Sequence, residues 1–387
     1  MAIWFKERLK TDNIDVQSQL PLLKFGNQRI CSHMTFNTKQ DVLSDLARKL
    51  TRREAVVDVL KPKIINDYPA ISTCLENSLK GADARGTLMV PELRTHGNET
   101  VGIFADYGGE HRSSRYFTYS FLVFGWNHAH TVQDHFREIR AKHSVPESRE
   151  ISYKKLSNGP VQRCLPDYLN VCDSVAGMLC TVAVHKEIKT VFGPPGKETE
   201  EFLVKTLEEN GFGKRKPKVA EKLLRIIHLS AYLTAWLSHE GHKLFWLSDN
   251  DEIAPNPGKS LETVKLFQNV LQLYAEHSFG MVGYATPQEM DKPGTILDFL
   301  SMADLAAGAI EGFLSREDKG LRGQQKEEAQ AVLHWLGRPG IGLKKHNLVL
   351  RPGAVGEIES AELVIKPEIP TNAVIVEIPI SRSGKKS

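Results

Sequence analysis

The chain has 387 residues, 41% hydrophobic and 25% charged, and its 50 Lys and Arg against 47 Asp and Glu leave a net charge of +3. That balance excludes a histone-like basic protein and an acidic disordered tail, but it leaves room for a local basic groove. The length predicts two or three folding units, and five irregularly spaced cysteines read as reduced thiols in a cytosolic protein.

Residues 1–95 read as an N-terminal, partly helical region with no apolar stretch of the kind a signal peptide needs. From Lys39 to about Lys80 the pattern is helical: Val42, Leu43, Leu46 and Leu50 share a face, and Ile71, Leu75 and Leu79 repeat the spacing. The polar stretch 91–100 marks a boundary. Residues 96–340 read as one α/β domain. Val101–Ala105 predicts a strand ending at Asp106 before a Gly-Gly turn, with Tyr116–Phe124 as its hairpin partner. A helix over 131–142, a third strand over Glu150–Lys154, a helix over 161–175 and a buried strand Leu179–His185 follow. Next come helices over 197–209 and 218–239, a strand Lys243–Leu247 running into Ser-Asp-Asn-Asp-Glu, a helix over 260–277 and a strand over 280–286. The helix Leu297–Phe313 carries small residues along one side. Hairpin strands followed by strand–helix alternation predict a mixed sheet with helices against it. Residues 341–387 read as a β-rich extension or added sheet edge with a disordered tail, Ser381–Ser387. The longest apolar run, around Tyr119–Trp126, is far short of the ~20 residues of a membrane span.

Carboxylates fall where several elements could present them together. Asp106 closes the first central strand, Glu150 opens the middle segment, Asp249 and Asp251 follow a later strand, and Asp304 sits inside the apolar helix among Met302, Ala303, Leu305, Ala306 and Ala307. Taken singly each has an ordinary structural reading, since Asp before Gly-Gly forms turns and a buried Asp can pair with an Arg. Taken together, acids from different strands plus one from a helix suit two divalent ions acting on a phosphodiester. Hard oxygen donors select Mg²⁺ or Mn²⁺.

The segments IFADYGGE (103–110), YFTYSFLVFG (116–125), REISYKKL (149–156) and FLSMADLAAGAI (299–310) resemble the bacterial family catalogued as domain of unknown function 3800. The resemblance covers about residues 100–316. It implies a ribonuclease H-like mixed sheet flanked by helices, with a carboxylate cluster. The chain departs from the family pattern at Ser152, where a lysine is usual, and at Tyr107-Gly108. The resulting expectation is a metal-dependent nuclease or phosphoryl-transfer enzyme. Asp106, Glu150, Asp249, Asp251 and Asp304 would be its ligands, and Lys154 or Lys155 would stabilise phosphate charge. A catalytically silent nucleic-acid- or protein-binding module stays open on the sequence. So does a structural subunit of a larger bacterial assembly, with a protein partner or a second copy.

Other signals carry less. Gly193–Gly196 is too short for a phosphate loop, and His239 and His242 have the wrong spacing for a zinc protease. His128 and His130 read as opposite faces of a strand. Cys164, Cys172 and Cys180 read as core thiols, and Leu223, Ile226, Ile227, Tyr232 and Trp236 as a core stripe. Arg112 and Arg115 follow Asp106 closely and are candidates for holding phosphate. The basic turn Lys214, Arg215, Lys216 and Lys218 is a second candidate, although charge runs are usually solvated loops. Another basic group, Arg338, Lys344, Lys345, His346 and Arg351, is equally ambiguous.

Overall fold

The computed structural model describes residues 69–365, apart from 95–96, 250, 290–293, 295, 322–325, 354–356 and the side chains of His128 and Glu289. The helix expected before residue 69, and the part of the β-rich extension and the tail expected after 365, lie outside the described residues.

Among the described residues, seven strands form one sheet: β1 (Thr100–Gly108), β2 (Tyr116–Gly125), β3 (Gly177–His185), β4 (Lys243–Ser248), β5 (Met281–Ala285), β6 (Leu343–Pro352) and β7 (Ile358–Glu362). Their order is β5-β4-β1-β2-β3-β6-β7. β1, β2 and β3 form an antiparallel meander, while β4 and β5 run parallel to β1 on the other side. Such a meander continued by two parallel strands is a ribonuclease H-like mixed sheet. The sheet continues beyond residue 340, because β6 pairs in parallel with β3 and β7 pairs antiparallel with β6.

Among the described residues, eight helices cover both faces: α1 (Ala70–Ala84), α2 (Ala129–Lys142), α3 (Gly159–Cys172), α4 (Lys197–Glu209), α5 (Pro217–Leu237), α6 (Pro257–Tyr274), α7 (Ile296–Glu317) and α8 (Glu327–Gly337). The cause is the alternation of the strands. Val101, Ile103 and Ala105 of β1 join a core with α1, α4, α5 and α6. Phe104 of β1 and Leu122 and Phe124 of β2 join a second core with α2, α3, α7 and α8. Strands buried on both faces read as near-continuous apolar runs, which is why β2 and β3 stand out in the sequence. Among the described residues no helix is long and apolar enough to cross a membrane.

Three local expectations change. Residues 149–152 are not a strand; the segment is irregular and ends in a 3-10 turn, Tyr153–Lys155. β1 does not end at Asp106, because Tyr107 and Gly108 still pair with β2 and the turn begins at Gly109, whose φ is +88°. His128 and His130 lie on a helical turn and on the start of α2, not on a strand. α8 has no counterpart among the elements expected from the sequence.

Candidate carboxylate site

α7 is seated on the sheet by aromatic packing. Phe299 stacks on Phe124 with ring centroids 4.8 Å apart and meets Phe104 and Phe136 edge-on. About one and a half turns later α7 presents Asp304. On β1, Asp106 follows Phe104 by two residues, so its side chain leaves the sheet on the α7 side. Glycine fits at 108 because a Cβ there would stand 2.7 Å from Thr118 Oγ1 on the neighbouring strand. The Asp249 N–H donates to Ala105 O at 3.1 Å, continuing the parallel ladder just past β4. Leu247 belongs to the α7-side core, so Asp249 shares that face and stands beside Asp106.

The electrostatics follow from this crowding. Asp106 is buried at 8% exposure. Burial first, then the charges of Asp304, Asp249, Asp251 and Glu150, holds its carboxyl well above the usual carboxylate range. Asp304 is pushed up to about 6 by burial and by Glu150 and Asp249, against the lowering influence of the Tyr153 N–H and Lys154. The Tyr153 N–H donates to Asp304 Oδ2 at 2.5 Å, which fixes the carboxylate on the helix. Glu150 and Lys155 are both exposed and pair with each other at 2.7 Å.

Asp251 is held differently. With Glu110 and Glu252 it forms a trio whose ligating atoms lie within 4.8 Å of one another, the one such group among the described residues. Lys222 of α5 enters this trio: its Nζ donates to Glu110, lies 2.7 Å from Asp251 and is 4.0 Å from Glu252. An ammonium thus supplies the positive charge there. Asp251 still raises Asp106 at longer range, but its own carboxylate is engaged by Lys222. Sequence reasoning missed Lys222. Its signal was a cation beside Leu223 on the stripe read as core, since a lysine at such a position needs a carboxylate partner.

The small-residue side of α7 receives Tyr153. A Cβ on Gly308 would stand 2.4 Å from Tyr153 Cγ, and one on Gly312 would stand 2.8 Å from its hydroxyl. Gly308→Ala is therefore expected to destabilise the protein by about 1–3 kcal/mol through overpacking. That outweighs the roughly 1 kcal/mol gained in helix propensity. Denaturant titration checks it: the midpoint falls with an unchanged slope.

The basic candidates separate. Arg215 is buried and paired with Glu262 at 2.6 Å and Lys214 stands 4.0 Å from Glu208, while Lys216 and Lys218 are exposed. In the group around residue 338, Arg338 and Lys345 both pair with Asp173, at 2.9 and 2.6 Å. Arg112 and Arg115 line a cleft of about 440 Å³ at the tip of the β1–β2 hairpin. Cys164, Cys172 and Cys180 are buried free thiols. His239 to His242 follow the end of α5 as a turn, and His239 Nε2 lies 2.9 Å from Glu92.

No family model matches the chain, and no curated protein matches it. Among solved structures it is similar to the ribonuclease H2 from Pyrococcus horikoshii OT3, with 12% identity over 62% of this chain and 86% of that one and a TM-score of 0.32. It is also similar to a chain of the PCNA:RNase HII complex from Archaeoglobus fulgidus, with 12% identity over 60% of this chain and 87% of that one and a TM-score of 0.31. Both likenesses are faint, and the ribonuclease H-like assignment rests on the strand order and pairing given above.

Proposed function

We propose that the chain is a divalent-metal-dependent phosphodiesterase acting on nucleic acid. Asp106, Asp249 and Asp304 would be its metal-binding carboxylates, with Glu150 beside them. The observation that carries this reading is the placement of Asp106 and Asp249 side by side on the face that α7 covers with Asp304, where burial and neighbouring acids raise the proton affinities of Asp106 and Asp304. Such an arrangement is unfavourable until a cation neutralises it, and its oxygen-only donors suit Mg²⁺ or Mn²⁺. Bound ions of this kind activate water and stabilise the leaving oxygen of a phosphodiester. The chain's own residues prepare the site. Tyr153 fixes the Asp304 carboxylate, and Lys154, which lowers the proton affinity of Asp304, supplies positive charge toward developing phosphate charge. Lys155 is engaged by Glu150, so Lys154 is the better of the two lysines for that role. The segments that resemble the domain of unknown function 3800 family carry Asp106, Glu150 and Asp304.

The test is incubation of the purified chain with labelled single- and double-stranded DNA, RNA and an RNA–DNA hybrid, in Mg²⁺, Mn²⁺ or EDTA. Cleavage in metal alone is expected. Intact substrates under both metals would overturn the enzyme reading and favour the silent binding module.

A further inference from the structure

The cleft at the hairpin tip combines three parts of the chain: the loop after β1, the end of β3 and the turn after α7. It gathers Arg112, Arg115, Lys186, Lys189 and Lys319 against one lining carboxylate, Glu187. Only the two arginines were suspected from the sequence; the three lysines come from segments far along the chain.

Two observations set this cluster apart from an ordinary charged surface. Elsewhere the surface lysines tend to sit on carboxylates, as in Lys142 with Asp167, Lys197 with Glu201, Lys243 with Glu99 and Lys259 with Glu262. In the cleft, by contrast, none of the five cations has a carboxylate partner among the described residues. The lysines are held by main-chain carbonyls: Lys186 Nζ donates to His111 O at 2.9 Å, Lys189 Nζ to Lys186 O at 3.2 Å and Lys319 Nζ to Ser113 O at 2.5 Å. A carbonyl uses one ammonium proton, orients the group and leaves its charge and remaining donors for an anion. The Arg115 N–H donates to Ser315 Oγ at 2.8 Å, which ties the loop to α7.

The same helix thus runs from Asp304 to Ser315, eleven residues on, and at 1.5 Å per residue the cleft lies about 16 Å along α7 from the carboxylates. With phosphates spaced roughly 3.4 Å per nucleotide along a strand's axis, that span is about four to five nucleotides.

We propose that this cleft is a second anchor for the nucleic-acid strand, gripping a backbone phosphate four to five nucleotides from the one at the carboxylates. The proposal rests on the nucleic-acid reading above but not on cleavage. The anchor reads charge and not base identity, because ammonium and guanidinium groups recognise phosphate oxygens common to every nucleotide. It sets the strand's register across α7, and strands too short to bridge both places lose it.

The test is binding of a labelled 20-nucleotide strand in EDTA, titrated with NaCl. The variants are Arg112→Gln/Arg115→Gln and Lys186→Gln/Lys319→Gln, with Lys205→Gln, on the exposed flank of α4, as the control. Glutamine keeps a donor for the carbonyls, and circular dichroism reports whether each variant folds. Each cleft pair is expected to weaken binding about tenfold. It should also lower the slope of log affinity against log salt by about 0.7–0.9 for each phosphate the cleft no longer neutralises, equally for different sequences. Competition by inorganic phosphate as strong as by a strand of equal phosphate content would assign the cleft to a small anion and overturn the anchor. Folded variants with unchanged affinity and slope would overturn it too, as would a wild-type chain that binds no strand at low salt. A binding defect in the variants with no cleavage by the wild type would leave the anchor standing and remove the phosphodiesterase reading.

Discussion

Asp106→Asn is expected to lower metal-dependent cleavage on the order of 10³-fold or more and, in EDTA at neutral pH, to raise the melting temperature. Loss of activity alone would be uninformative, since many substitutions lower activity by damaging the fold. The opposite signs are what identify a site. Both Asp106 and Asp304 have raised proton affinity in the folded chain, the second up to about 6 from an ordinary 3.8, chiefly through burial and neighbouring acids. For a raised carboxyl the folded state binds the proton more tightly than the unfolded chain. Its contribution is therefore favourable below the unfolded value and is lost as the pH climbs toward the folded one. Above pH ~6 the wild type carries the full electrostatic cost at Asp304, on the order of 1–3 kcal/mol at 1.36 kcal/mol per unit. An amide has no charge to lose, and Asn at position 304 can still accept the Tyr153 N–H. The gain of Asp304→Asn should thus be full above pH ~6 and fade toward pH ~4. Mg²⁺ or Mn²⁺ should stabilise the wild type in proportion to binding and the Asp106 variant much less. A lower melting temperature for both variants in EDTA would mean that the acids hold the fold together, and the site would lose its main support.

How much of this was visible in the sequence depends on what each feature requires. The doubly buried strands declare themselves, because β1, β2 and β3 place apolar side chains on both faces and leave little periodic ambiguity. The helices with one apolar stripe, such as Lys197–Glu209, were equally plain. The segment 149–155 misled because Ile151 and Tyr153 alternate like a strand. Tyr153 instead packs on α7, whose Gly308 admits it, and no local pattern encodes that packing. Asp106 and Asp304 could be singled out by an acid lodged in apolar surroundings. Their approach depends on α7 crossing β1, which only the tertiary packing supplies. The partners of Lys222, Lys186 and Lys319 were invisible for the same reason, since they lie tens or hundreds of residues away in the chain.

Arg140→Ala is expected to be the most damaging single change to stability, costing about 3–5 kcal/mol. The Arg140 guanidinium on α2 meets the Asp298 carboxylate at the start of α7, with Nε 2.9 Å from Oδ2 and Nη2 2.5 Å from Oδ1, and the two side chains are 2% and 0% exposed. Its remaining nitrogen, Nη1, donates to Pro146 O at 3.0 Å and to Arg149 O at 2.9 Å. Truncating Arg140 leaves a buried carboxylate without its cation and removes one donor from each of two carbonyls in the segment that leads to Glu150. At a few degrees per kcal/mol the melting temperature should fall on the order of 10 °C. Replacing both partners with apolar residues, as in Arg140→Met/Asp298→Leu, should recover most of that loss, because the desolvated charge disappears with its partner. The segment around Glu150 gains nothing from that repair, since the Arg149 carbonyl still lacks a donor and the Pro146 carbonyl keeps only the Arg149 N–H. The double variant should therefore regain stability while hydrogen exchange over residues 146–153 stays faster than in the wild type. If exchange there returns to the wild-type rate, the Asp298 pair alone positions α7, and the loop that carries Glu150 is held by something other than Arg140.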